Sequence, residues 1–392
     1  MVLSLAFLFL IVFNTICVQS VMATPPTQAR GAHTSSGGDD YGEYRYLAEG
    51  YTGFTSNYVA IFNLHGDSQT VENLYTDENG YSWKKTFNIG VGGNRRATRE
   101  INSDIGVKGR SIATRVKGLS GSLMAERSSY VGYEGTSSSG THSPTRGSWY
   151  FPEGYTGHDL YIAVRNCSDN QQTFHFMFYL TSGFYRDVTK TVRRSCRGTI
   201  RVNDFVPSDR DVAIELWSTG PFTAERSSLA GNVATSSSGH RYMGNSEYLH
   251  AEGYGSFSTY ISMANISGWS TTGTAAFFDS QGRGATRSIG IPQNSRRTIR
   301  QDVFGSGVDF STITASSGPD IAFSSERSSY YGSWGTSSEG TCCANAVVKR
   351  VFAEGYTGHD TYIAVCNASD VSDRTKFQIN FYVRGSGVYN GI

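Results

Sequence analysis

Lysine is almost missing from this 392-residue chain: of 34 basic residues seven are Lys and the other 27 are Arg. Charge is thin overall, at 17% of residues against about 25% in ordinary soluble domains, and it nearly cancels to +1. A chain so close to neutral has no long-range pull on nucleic acid or anionic lipid. Proline is scarce, at 8 residues. No Gly-X-Y period runs through the sequence, which excludes collagen. There is no phosphate-cradling Gly-rich loop, HExxH, CxxC or GxSxG motif, so the chemistries carried by those motifs have no foothold. No sustained 3.6-residue period appears, and helices are expected to be nearly absent. What is abundant is Gly, 45 residues, and aromatic side chains, 13% of the chain. Disordered chains are poor in aromatics, so most of this one is expected to fold. The Arg bias favours planar, bidentate or stacked contacts over solvated point charges.

One long apolar run exists, Leu3 to Phe13, too short to cross a bilayer as a helix, which needs about 20 residues. It is followed by Val21-Met22-Ala23, the small-residue pattern of a signal-peptidase site, although no basic residue precedes the run. Residues 1–23 therefore read as a signal peptide and 24–43 as a flexible leader, which makes the rest an exported, secreted or cell-surface protein.

The remainder repeats itself. Ala48-Glu49-Gly50-Tyr51 returns as Pro152-Glu153-Gly154-Tyr155, Ala251-Glu252-Gly253-Tyr254 and Ala353-Glu354-Gly355-Tyr356. Glu126-Arg127-Ser128-Ser129 returns at Glu225 and at Glu326, and Thr136 to Gly140 (TSSSG) at Thr235 and Thr336. Three markers in fixed order at one period define modules 44–147, 148–247 and 248–350, with a partial fourth copy over 351–392. Within a module, short runs rich in Val, Ile, Thr, Tyr and Phe alternate with Gly, Ser, Asn and Asp. Phe174, Phe176, Phe178 and Leu180 mark one apolar face at period two. Seven or so short strands per hundred residues predict an all-β chain of tandem immunoglobulin-like β-sandwich modules. A seven-bladed β-propeller, with each module divided into two blades, is the alternative. A two-stranded fourth piece is not stable alone. It must pack on module three, close onto Tyr44–Leu47, or pair with another chain.

The runs Pro152 to Asn166 and Ala353 to Asn367, with the Glu-Arg-Ser-Ser segments, resemble a repeat family of exported bacterial and archaeal surface proteins. That family carries AEGYT-, DTYLLLAN- and VAERAMYW-like signatures. Phe54-Thr55-Ser56 and Ser256-Phe257-Ser258 depart from its Gly-His-Asp portion. The resemblance implies an extracellular surface role and brings no established chemistry with it.

Several residues are candidates for particular work. Glu153 with Arg226, and Glu252 with Arg327, are expected to form cross-strand pairs that hold each module. The Arg pairs Arg95-Arg96, Arg193-Arg194 and Arg296-Arg297 stand either as a ladder of sites for acidic glycans or carboxylates or as charge protecting edge strands. Asn166, Asn265 and Asn367 begin glycosylation sequons. The first module keeps Asn63 without the acceptor Ser, which points to an Asx-turn role for the Asn. Export would allow disulfides among Cys167, Cys196, Cys342, Cys343 and Cys366, with Cys167–Cys196 inside one module and Cys366 clipping the fourth piece. Gly157-His158-Asp159 recurs at Gly358 but is missing from the other copies, and it reads as turn chemistry. No catalytic residue, metal ligand or cofactor is assigned. The expected partners are other copies of the chain or extracellular surface glycans and proteins, with no nucleic acid among them. An adhesive or structural role leads, and a carbohydrate-binding lectin is the alternative.

Overall fold

The computed structural model describes residues 11–15, 42–91, 95–131, 134–231, 233–241, 247–318, 322–332, 334–342, 352–353, 360–367, 378–383 and 387–391. The chain is all-β. The apolar run read as a signal sequence contributes one strand, β1 (Ile11–Thr15). Most of 1–23 and of the leader lies outside the described residues.

The first unit comprises β2 (Tyr44–Leu47), β3 (Ser56–Asn63), β4 (Gln69–Asp77), β5 (Ser82–Ile89), β6 (Arg96–Glu100), a one-turn helix α1 (Ile101–Ile105), β7 (Ile112–Gly118), β8 (Leu123–Val131) and β9 (Glu134–Ser139). Its strands form two four-stranded sheets, in the orders β2-β7-β4-β5 and β6-β3-β8-β9. Leu47, Val71, Tyr75, Ile89 and Val116 of one sheet and Val59, Ile61, Leu123 and Ala125 of the other make a single buried cluster. The core is therefore the seam between two antiparallel sheets, each with one apolar face.

The second unit repeats this plan with β10 (Thr145–Phe151), β11 (Asp159–Asn166), β12 (Gln172–Leu180), β13 (Gly183–Val192), β14 (Arg197–Arg201), β15 (Val212–Ala230) and β16 (Val233–Ser237). Here the counterparts of β7 and β8 are fused into the 19-residue β15. Its first half pairs with β10 and β12 and its second half with β11 and β16, so one strand passes from sheet to sheet. The predicted period-two face is inside: Phe174, Phe176, Phe178 and Leu180 lie in the largest core cluster, with Trp149 and Phe222.

In the third unit β17 (Glu247–His250), β18 (Ser258–Asn265), β19 (Thr271–Asp279), β20 (Gly284–Ile291), β21 (Ser295–Arg300), β22 (Phe310–Ser316), β23 (Phe323–Tyr331), β24 (Trp334–Glu339) and β25 (Thr341–Cys342) follow. They form sheets β20-β19-β22-β17-β25 and β21-β18-β23-β24. The TSSSG segments, whose serines suggest connections between strands, are themselves strands: β9, β16 and β24.

The fourth copy contributes β26 (Asp360–Ala364), β27 (Ile379–Val383) and β28 (Gly387–Gly391). Strand β26 pairs in parallel with β1, and β27 pairs with β28. Ala364 and Cys366 pack on Leu249, Ala251 and Ile313 of the third unit. Ala353 is fully buried against Ala60, Phe62, Leu64 and Met124 of the first. The fourth copy thus touches both ends of the series. Among the described residues its apolar contact with the first unit is at β3 and β8, not at Tyr44–Leu47, where β2 pairs with β7 on one side and Tyr46 bridges Thr141 on the other. Among the described residues no helix is long and apolar enough to cross a membrane.

Candidate functional site

The repeated residues converge on the joints between units. Consecutive side chains of a strand point to opposite faces. In the second unit that alternation sends Glu225 and Arg226 in opposite directions. Glu225 reaches back to the first unit, where its carboxylate accepts the backbone N–H of Ala48 at 2.7 Å and meets Arg127 at 3.0 Å. Arg226 stands opposite Ile162 on the core side of its own sheet, 2.8 Å from Glu153, and 3.6 Å from Glu326 of the third unit. Glu326 repeats the backward reach, accepting the N–H of Glu153 at 2.8 Å. Arg327 meets Glu252 at 2.5 Å. Both expected pairs, Glu153–Arg226 and Glu252–Arg327, are therefore brought together, but not as cross-strand pairs: each Glu lies two residues beyond the end of a strand, after Phe151 and His250. Glu225 and Glu326 were not foreseen as joint residues. Their signal was available in the sequence: the Glu of the Glu-Arg dipeptide recurs as faithfully as the Arg, and neighbours in a strand cannot serve the same face.

The arginine clusters reinforce the same joints. Phe62 pairs with Arg96, Arg165 with Arg197 and Ala264 with Arg296, which makes Arg96, Arg197 and Arg296 counterparts. Arg197 Nε donates to the carbonyl of Ala48 at 2.8 Å, and Arg296 Nη1 to that of Gly154 at 2.9 Å. Arg96 Nε donates to the carbonyl of Ala353 at 2.6 Å. Each clasps the Glu-Gly-Tyr approach of a neighbouring copy. Arg297 and Arg193 also reach carbonyls across a joint, Thr181 and Glu78. Arg194 is exposed and Arg95 half-buried. In the second unit the counterpart is thus Arg197 and not the Arg193-Arg194 pair.

The Ser/Thr strands complete the joints. Ser236 donates to the carbonyl of Ser137 at 3.0 Å, and Ser337 to that of Ser236 at 2.8 Å, so each copy's hydroxyl bonds the previous copy's backbone.

Burial dominates the electrostatics of the joint between the second and third units. It would lower Arg226, but Glu153 and Glu326 outweigh it and hold the guanidinium above its ordinary range. Burial raises Glu326 and Glu339 and lowers His240. His240 Nε2 sits 2.8 Å from the carbonyl of Ser325 and is the donor of that bond. His250 is pushed well below its usual range by burial first, then by Arg327 and His240.

Other candidates have different surroundings. His158 and Asp159 turn to separate partners, Ser228 Oγ at 3.1 Å and Arg201 at 2.5 Å, and form no acid–base pair. Among the described residues no group of three or more His, Cys, Asp or Glu is placed to hold a metal. Cys167, Cys196 and Cys366 are free thiols. Cys196 borders the core cluster of the second unit and turns its sulfur towards Gly80 of the first, whereas Cys167 is set beside Arg165 and Tyr46; both thiols are free, and the expected Cys167–Cys196 bridge is not formed. The side chain of Cys342, and Cys343 altogether, lie outside the described residues.

The sequon asparagines are pins. Asn166 is fully buried and its Nδ2 donates to the carbonyls of Asn170, Val192 and Arg193 at 2.8 to 3.1 Å. Asn265 does the same to Trp269, Ile291 and Pro292, and Asn63, without a sequon, to Asp67 and Gly90. Ser168 and Ser267 hydroxyls donate to their Asn Oδ1 at 2.7 and 2.6 Å, so the sequon serine is part of the turn. The nitrogen a glycan would occupy is engaged three times in the folded chain. Asn367 is half-buried at the matching position. Protein purified from a glycosylating host is expected to carry no glycan at Asn166 or Asn265 by intact mass and peptide mapping. Asn265→Ala is expected to lower stability by about 1–3 kcal/mol in urea denaturation, the range for orphaning buried polar groups.

No family model matches the chain, and no curated protein does. Among solved structures, the Anabaena sensory rhodopsin transducer is 24% identical over 21% of this chain and 95% of its own, at TM-score 0.19. The Thermotoga maritima 1070 protein is 18% identical over 23% of this chain and 88% of its own, at 0.20. A tetra-tandem repeat from the extending region of a large adhesion protein is 12% identical over 76% of this chain and 74% of its own, at 0.12. These scores are too low to define a shared fold. What the fold and the joints define is an all-β protein of tandem copies locked by buried ion pairs.

Proposed function

We propose that this chain is a structural and adhesive repeat protein of the cell exterior, acting through its unit–unit contacts and through surface contacts with other copies or with extracellular glycans and proteins. The observation that carries this reading is where the repeated charges go. Glu225 with Arg127, Glu153 and Glu326 with Arg226, and Glu252 with Arg327 are buried pairs across or beside joints. Residues recurring in each of the three full copies serve to fix copies together, as a scaffold requires. The AEGYTG and AERSSY resemblance supports the same reading, and the signal-like start fits export.

One observation favours a lectin as the second reading. Tyr51–Phe54, Tyr155–His158 and Tyr254–Phe257 form ring pairs 5.2 to 5.5 Å apart at the same turn of each unit. Phe54 is 65% exposed. The paired rings are tilted or edge-on to each other, at 58° to 84°, and aromatic faces at one repeated position are what equivalent sugar sites would need.

Negative-stain microscopy of the purified chain, paired with a glycan array and protease shaving of intact cells, tests both. Fibres, sheets or ordered clusters, with shaving of the protein from cells, support the scaffold. Single particles with saturable glycan binding transfer the reading to the lectin. Retention inside the cell overturns both.

A further inference from the structure

The residue just before the repeated Asn is Phe62, Arg165, Ala264 or Cys366. Three of these are apolar or nearly so and fill apolar contacts between copies. Phe62 packs with Ala353, Ala264 with Tyr179 and Ala213, and Cys366 with Leu249 and Ala251. In the second unit the same place holds Arg165, which is 2% exposed. The buried arginines Arg127, Arg197, Arg226, Arg296 and Arg327 each have a carboxylate within 4 Å. Arg165 has none among the described residues, and its Nε and Nη1 have no acceptor there. A buried cation without a counter-charge is strongly unfavourable.

Its surroundings deepen the deficit. The guanidinium lies over the Tyr46 ring, 5.9 Å from the centroid. The groups acting on it are Cys167, Arg115 and Tyr46, with no acid among them, and burial with Arg115 pulls Arg165 below its ordinary range. Cys167 is no substitute, because burial raises its thiol to about 11 and leaves it neutral. Glu72 is taken by Arg115 at 3.0 Å and by Lys84 at 2.6 Å. Arg115 Nε also lacks an acceptor. Tyr46 and Arg115 are only half-buried, which leaves an approach from the rim of the joint.

We propose that the joint between the first and second units is an oxyanion site. Arg165, seconded by Arg115 above the Tyr46 ring, receives a sulfate, phosphate or carboxylate, either as a free ion or carried on a larger molecule. The planar fork of Arg suits such groups. The anion would complete this part of the joint as Glu225 completes its own neighbourhood there.

Calorimetric titration of the full chain with sodium sulfate and with sodium phosphate, at ionic strength held constant with sodium chloride, tests this. Saturable binding of one anion per chain is expected, weakened about 10- to 100-fold in Arg165→Met. That variant is expected to fold, since the other copies carry apolar residues at this place, and to melt no lower than the parent in the absence of anion. Arg115→Gln is expected to weaken binding less. A sulfated disaccharide that binds more tightly than free sulfate identifies a carried group, and equal affinity identifies the free ion; either supports the site. Absence of saturable binding, or undiminished binding in Arg165→Met, overturns it. So does rapid alkylation of Cys167 at neutral pH, which would show a thiolate already supplying the counter-charge.

Discussion

Replacing Arg226 with Met is expected to lower the stability of the chain by about 3–5 kcal/mol, the range for removing one partner of a buried ion pair. The loss comes from what stays behind. Glu153 and Glu326 would face each other inside the joint with no cation between them, and burial already pushes Glu326 towards its neutral form. Urea denaturation followed by Trp fluorescence reads the effect, because Trp149 is buried in the second unit's core. The stronger test is the cycle with Glu153→Gln. Removing both partners is expected to cost less than the two single losses together, with a coupling above about 1 kcal/mol. Strict additivity would mean that the pair contributes nothing to the joint.

Acid is expected to weaken the third unit through His250, and His250→Gln to blunt that weakening. The folded-state pKa of His250 lies well below the value of about 6.5 that it has when unfolded. Its contribution is therefore complete above pH 6.5 and is lost as pH falls below it, because only the unfolded chain takes up the proton. The slope approaches about 1.4 kcal/mol per pH unit for this one group. Glu326 and Glu339 are raised, so their contribution runs in the opposite direction, being complete below the unfolded carboxylate range and lost as pH rises. The difference between parent and variant, measured by denaturation at pH 7.5 and pH 5.5, isolates the histidine. Parallel curves would show that His250 takes up its proton as readily in the folded chain as in the unfolded one, which overturns this reading.

The β character, the period and the Glu153–Arg226 and Glu252–Arg327 pairs were legible because they depend on patterns within one copy. Strand alternation exposed the core face at Phe174, Phe176 and Phe178. What was not legible lies between copies. Arg296 reads locally as a charge on an edge, yet it is buried on the carbonyl of Gly154, 142 residues away. The TSSSG runs read as connections because Ser favours turns. They are strands because hydroxyls such as those of Ser236 and Ser337 find carbonyls on the preceding copy, and such a partner overrides local preference. The sequons carry two readings at once: Asn-X-Ser is both an acceptor motif and a self-bonded turn; Asn63, which lacks the acceptor, points to the turn, and the buried Nδ2 bonds of Asn166 and Asn265 supply its geometry. Arg165 was invisible to a search for repeats because it occurs once.

The contact of Ala353 with the first unit has a consequence for how such a chain can change in length. An open array of repeats tolerates duplication or loss of a copy, provided its two ends are capped. Here the order of contacts runs from first to second to third to fourth and back to the first, with Arg96 on Ala353 as Arg197 is on Ala48. Inserting or deleting one copy would part Ala353 from Phe62 and Arg96 and expose both faces to water. Copy number is then a property of the closed circuit and not of any single unit, and evolution by simple gain of repeats is blocked unless the whole circuit is redrawn.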